Sequence, residues 1–190
     1  MIKSSLLLFI LYFLVQPPAI GQMDKSFPLD FKRKADLMGI EFFYPIERKI
    51  KSKKIVSDDF MEYDLVLRSR NDFEIRYSLV TAANAEKANI HPHVELTRTL
   101  ASIATNDEEE NIRVNPMSHR ESLEKYGADW GIFADFVPKK SFSNFRIGRI
   151  VSLYKEGSGY LNCIILYKKD NLGSFVGTPV RFSEINDLHN

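Results

Sequence analysis

The chain has 190 residues, 26 Lys+Arg against 25 Asp+Glu, one Cys, one Trp and 44% apolar residues. This composition excludes a disordered chain and a low-complexity linker. A lone cysteine excludes an internal disulfide and a cysteine-only metal site. No strong catalytic motif stands out, and nothing in the residues calls for a cofactor.

The first 21 residues read as a targeting segment. Lys3 is a short positive region, residues 6–15 are an unbroken apolar run, and Gln16, Pro17 and Pro18 end it. Ala19-Ile20-Gly21 then supplies the small residues of a secretory cleavage site, with cleavage expected before Gln22. The alternative, an uncleaved anchor, needs a stretch of about 20 apolar residues. No later stretch offers a membrane span after signal cleavage. Loss of Lys3 leaves the remaining basic residues matched by the 25 acidic ones. A balanced, exported chain is not a nucleic-acid binder, which would show a basic excess.

Residues 22–37 are polar and mixed, and they read as an exposed, flexible N-terminal segment with at most one helical turn near Asp36. Ile40-Glu41-Phe42-Phe43-Tyr44 is a strand stopped by Pro45. The basic run from Glu47 to Lys54 reads as a solvated loop. Residues 61–68 alternate, with Met61, Tyr63, Leu65 and Leu67 on one side. Residues 73–79 repeat the pattern with Phe73, Ile75, Tyr77 and Leu79. Period two over both, with a short link at 69–72, predicts a β-hairpin.

At residues 92–105 the period changes. Leu96, Leu100 and Ile103 are spaced as on an amphipathic helix, and Pro92 suits its first turn. The acids at 107–110 lack the spacing of a calcium loop. A second helix begins at Ser118, with Glu121 completing a capping box, and ends at Gly127. Residues 130–137 are apolar on both faces and read as a central strand. Residues 145–154 and 160–167 flank Lys155-Glu156-Gly157-Ser158-Gly159, a hairpin with two glycines in its link. Its arms are apolar on both faces, so both faces of the sheet need cover. Residues 170–182 are a tail with one short helix before Gly177, and 183–190 fray. The expected fold is α+β: a mainly antiparallel sheet covered by helices on both faces, an α/β/α sandwich, in a single domain over 38–182.

This order resembles the PsbP-like fold, named for an extrinsic subunit of photosystem II and shared with a Ran-binding nuclear transport factor. The resemblance rests on the strand running into Tyr44-Pro45, on Gly127-Ala128-Asp129-Trp130-Gly131, on the 146–167 hairpin and on Val180-Arg181-Phe182. These segments also look like small exported bacterial proteins placed with that fold. The resemblance implies a binding or assembly module rather than an enzyme, and it carries over no functional residue.

Several residue groups are candidates for chemistry. His91-Pro92-His93 with Glu95 is the metal candidate, because imidazoles two apart on an extended backbone can share an ion. The ordinary alternative is a polar helix start. Asp129 beside Trp130 is compatible with a ligand cleft, or with a turn-capping carboxylate. Tyr154 and Tyr160 flank the glycine turn and are either core aromatics or a contact patch. Cys163, in an apolar strand, is a buried hydrophobe or a reactive thiol; nothing near it in sequence would activate it. Ser118 and His119 are adjacent on a helix and point apart, so they form no dyad.

The leading expectation is therefore an exported, periplasmic or secreted, non-enzymatic module. It would bind a protein or envelope component through a sheet face or the 154–160 hairpin end. The alternative is a small-ligand binder or weak hydrolase with a cleft near Asp129 and Trp130.

Overall fold

A computed structural model describes residues 27–42, 50–53, 60–69, 73–107, 111–168 and 180–183. The expected signal peptide, most of the 170–182 tail and the residues after Ser183 lie outside these.

The elements in order are α1 (Leu29–Met38), β1 (Ile40–Phe42), β2 (Ile50–Lys53), β3 (Leu65–Ser69), β4 (Phe73–Thr81), α2 (Ala82–Lys87), α3 (Pro92–Ile103), β5 (Arg113–Pro116), α4 (His119–Tyr126), β6 (Trp130–Phe136), β7 (Ile147–Lys155), β8 (Gly159–Tyr167) and β9 (Val180–Phe182). The fold is α+β. Seven strands form one antiparallel sheet in the order β2-β3-β4-β8-β7-β6-β5, and β1 pairs with β9 beside it.

The sheet grows from the β7–β8 hairpin. Tyr154 pairs with Tyr160 and Lys155 with Gly159 across its turn. Gly157 (φ 74°) and Gly159 (φ 128°) occupy backbone regions that L side chains rarely enter. β4 then lies along the other edge of β8, from Phe73 against Tyr167 to Thr81 against Gly159. Every residue of β8 is buried, and its side chains alternate between two clusters. Leu161, Cys163 and Ile165 join Leu65, Leu67, Ile75, Tyr77, Val151 and Leu153, together with Phe31, Ala35 and Met38 from α1. Ile164 and Leu166 join Val66, Ala134, Phe136 and Ile150, together with Leu96, Leu100 and Ile103 from α3.

The N-terminal segment departs from the sequence expectation. It is a ten-residue helix, not a flexible stretch with a single turn. Phe31, Ala35 and Met38 recur at helical spacing and are buried, while the charges face outward. Gly39 ends α1 in the left-handed conformation. Lys34 Nζ lies 2.6 Å from Asp64 Oδ1, and Asp64 Oδ2 accepts the Leu79 amide at 2.7 Å, so one carboxylate fastens the helix to the sheet.

Three other expectations need correction. Part of the basic run forms β2, an edge strand pairing Lys51 with Arg68 and Lys53 with Val66. The 61–68 alternation also breaks at Asp64. Leu65 and Leu67 enter the first cluster, whereas Tyr63 and Met61 pack with the second. β5 and α2 are too short to leave a periodic signature. The 130–136 strand is second from the edge, with only β5 outside it.

The second helix starts at Ser118 as read, but the Glu121 carboxylate accepts from Lys125 Nζ at 2.7 Å. Ser118 Oγ accepts the Glu121 amide at 3.1 Å, and Gly127 (φ 60°) closes the C-terminus. A Cβ at Gly127 would stand 2.3 Å from the Phe182 carbonyl oxygen. Gly127→Ala therefore strains a left-handed residue and pushes β9 away, with an expected loss of about 2 kcal/mol or more. Urea unfolding tests this; a stability equal to wild type would show that β9 yields freely.

Candidate functional site

The register of β6, β7 and β8 aligns Trp130 with Tyr154 and Tyr154 with Tyr160. Directly opposed residues share a face of an antiparallel sheet, so three of the four expected binding residues form one aromatic row. The next row on that face is Ile132, Ser152, Asn162 and Ser78. Trp130 and Tyr154 are half-buried, but Tyr160 is 3% exposed and is not the free contact residue that its place near the turn suggested. Its hydroxyl donates to Asn162 Oδ1 at 2.8 Å and lies 3.3 Å from Ser152 Oγ, which itself donates to Asn162 Oδ1.

Ser152 and Asn162 were missed by sequence reasoning. Their signal was present: each is a polar residue in an otherwise apolar hairpin arm. Buried polar side chains persist where their hydrogen bonds are made, and these two satisfy each other across β7 and β8.

Asp129 sits beside the row, with its carboxylate committed. Oδ2 accepts the Glu156 amide at 2.7 Å, and the Asp129 amide donates to the Tyr154 carbonyl at 2.9 Å. Asp129 thus braces the hairpin turn. His119 Nδ1 stands 3.2 Å from the Asp129 carbonyl oxygen, a contact that needs the proton on that nitrogen.

The metal candidates do not assemble. His91 and His93 are exposed, with ring centroids 6.1 Å apart. Glu95 turns instead to Arg98, 2.5 Å away. Among the described residues no group of three His, Cys, Asp or Glu is arranged to hold an ion. Glu95 does lie close enough to Tyr160 for its charge to oppose ionisation of the phenol.

Two buried ionisable groups, Tyr160 and Cys163, are held protonated. Burial, the largest cause, pushes Tyr160 from its ordinary 10.0 up to about 12, helped by Glu95 against the pull of its two hydrogen bonds. Burial likewise pushes the Cys163 thiol from 9.0 up to about 12. Neither is an acid, base or nucleophile near neutrality. Ser152 has an amide oxygen for a partner, not a base.

Two further surfaces stand apart from it. At the other end of β6, a groove of about 830 Å³ is lined by residues including Thr105, Val137, Pro138, Lys139 and Lys140. Neither Asp129 nor Trp130 lines it, so the concavity does not coincide with the expected cleft. At the sheet edge, Ile112 and Val114 are 40% and 50% exposed, and Leu123 on α4 is 49% exposed. Among the described residues no helix is long and apolar enough to cross a membrane. No family model, curated protein or solved structure matches the chain.

The raised pKa values fix a sign. Above pH 9 to 10 the unfolded thiol and phenol lose protons that the folded chain keeps until about 12. Folding stability contributed by both groups is therefore intact below pH 9 and is lost as the pH rises through that window. Tyr160→Phe is expected to flatten the decline above pH 10, as read from urea midpoints. Cys163 is expected to resist a thiol reagent at pH 8 until the chain unfolds. Rapid labelling of the native protein would contradict the assigned burial.

Proposed function

We propose that this chain is an exported, non-enzymatic binding module that pairs a strand of a partner protein, or of an envelope component, along β5. The observation that carries the reading is the asymmetry of the two sheet edges. Edge strands invite pairing by other chains, and proteins blunt them with charge, especially lysine. β2, at one edge, carries Lys51 and Lys53. β5, at the other, has an exposed apolar side formed by Ile112 and Val114, with the exposed Arg113 between them. Strand addition uses the free backbone groups for affinity and alternate side chains for selectivity.

The absence of a poised acid, base or nucleophile in the aromatic row supports binding over catalysis. Export rests on the residue pattern of 1–21, read as a signal peptide. The two apolar clusters, one containing α1 and the other α3, support an α/β/α sandwich of the PsbP-like kind.

A photo-crosslinking residue at Val114 is expected to trap a partner in the native envelope, whereas the same residue at Lys51 is not. Equal adducts at both edges, or none at Val114, would remove the β5 reading. N-terminal sequencing of the exported protein is expected to begin at Gln22; a chain retaining residues 1–21 would refute cleavage.

A further inference from the structure

The two faces of β5 offer different things to a neighbouring strand. Arg113 pairs with Asp135 and Val114 with Ala134 across β5 and β6. Asp135 pairs in turn with Arg149 and Ala134 with Ile150 across β6 and β7. Directly opposed residues share a face. One face therefore carries the row Arg113–Asp135–Arg149, which alternates in charge. The other carries the apolar row Val114–Ala134–Ile150. Both rows stop at β5, where the sheet ends.

The backbone decides which residue a further strand meets most closely. The Met117 amide donates to the Gly131 carbonyl at 3.0 Å, in line with the β5–β6 register. Hydrogen-bonded pairs alternate along an antiparallel ladder. Arg113 and Asn115 thus turn their backbone groups to β6, and Val114 turns its N–H and C=O to the open edge. Pro116 has no N–H to add, so pairing ends there. An antiparallel strand bonded to Val114 sets its next residue opposite Arg113 in a non-hydrogen-bonded pair. Such pairs hold Cα atoms about 4.5 Å apart, with side chains closer than in the bonded pairs.

The charge row is incomplete at its outer end. Arg149 takes both oxygens of Asp135, Nε to Oδ1 at 2.6 Å and Nη2 to Oδ2 at 2.8 Å. Arg113 is exposed and makes no ion pair among the described residues. Opposite charges stabilise a directly opposed pair and like charges destabilise it, so the place beyond Arg113 suits a carboxylate. A second copy of β5 does not supply one. Antiparallel self-pairing centred on Arg113 sets that residue against itself, and centring on Val114 sets Arg113 against Asn115.

We propose that the strand added at β5 belongs to a different protein and has the pattern apolar–acidic–apolar. Its carboxylate lies against Arg113, and its flanking side chains lie against Ile112 and Val114. This rests on the strand-addition reading of β5 and names the partner's chemistry.

The test is an amide NMR titration of the protein with three end-blocked peptides: Thr-Thr-Val-Glu-Val-Thr-Thr and its counterparts with Gln or Lys at the centre. Salt is held near 0.15 M, where charges more than about 8 Å apart are largely screened. The Glu peptide is expected to shift the amides of residues 112–115 saturably and to bind about threefold more tightly than the Gln peptide, with the Lys peptide weakest. Arg113→Glu is expected to reverse the order, and Arg113→Gln to abolish the preference between Glu and Lys. Equal affinities with shifts at 112–115, or an order unchanged in Arg113→Glu, would overturn this inference and leave the edge reading standing. Preference for the Lys peptide, which the acids at 107–110 would favour, would overturn the sign. No saturable shift with any peptide would overturn both readings. Shifts at 112–115 that grow with protein concentration alone would place a second copy at the edge and overturn the separate partner.

Discussion

The burial of β8 along its whole length is the constraint on which the rest of the structure depends. A strand with no exposed residue must have both backbone edges paired and both faces covered. β4 and β7 meet the first requirement over nine registered pairs each. The second is met by two apolar clusters, one drawing on α1 and the β1–β9 pair, the other on α3. Truncating a side chain as enclosed as Leu161 or Ile164 would leave a cavity, at a cost of about 2–5 kcal/mol. The same constraint explains the Ser152–Asn162–Tyr160 cluster: polar groups at this depth persist because each finds a partner.

A second interior feature is ionic. Glu74, 4% exposed, lies between Arg76 at 2.7 Å and Arg68 at 3.1 Å. Arg76 reaches onward to Tyr63 and Phe142, and Arg68 lies over the Phe145 ring. Buried ion pairs contribute little net stability once desolvation is counted. The consequence of this one is geometric: it ties β3 and β4 to the 142–145 segment, which forms a wall of the groove. Interior charge and surface concavity are thus parts of one arrangement.

Functionally, the molecule separates chemistry from exposure. Two deeply buried ionisable groups, Tyr160 and Cys163, stay protonated across the physiological range. Asp135, like Asp129, is committed: it takes a bidentate pair from Arg149 at 2.6 and 2.8 Å. What remains outward is an apolar sheet edge at β5 and a groove with Lys140 on its rim.

Much of the fold was legible because local patterns coincided with tertiary demands. The two hairpins, the Leu96-Leu100-Ile103 stripe and the Ser118 cap with its Gly127 stop each carry their signal within a few residues. α1 was legible too, in Phe31, Ala35 and Met38, but the surrounding lysines and acids masked the spacing. The sequence by itself determined the two hairpins and the boundaries of the two main helices; the other strand pairs and the central place of β8 came from the assembled sheet. The tertiary structure alone decided what the polar and aromatic residues do. Register, not proximity in sequence, put Trp130, Tyr154 and Tyr160 in one row and buried Ser152 against Asn162. It also spent Asp129 on the Glu156 amide and left β5 at the sheet edge, whereas Glu95 turns to Arg98 within its own helix. The physical reason is range: caps, turns and periodicity act over a few neighbours, whereas burial and partner choice are set by strands that meet only when the sheet is assembled.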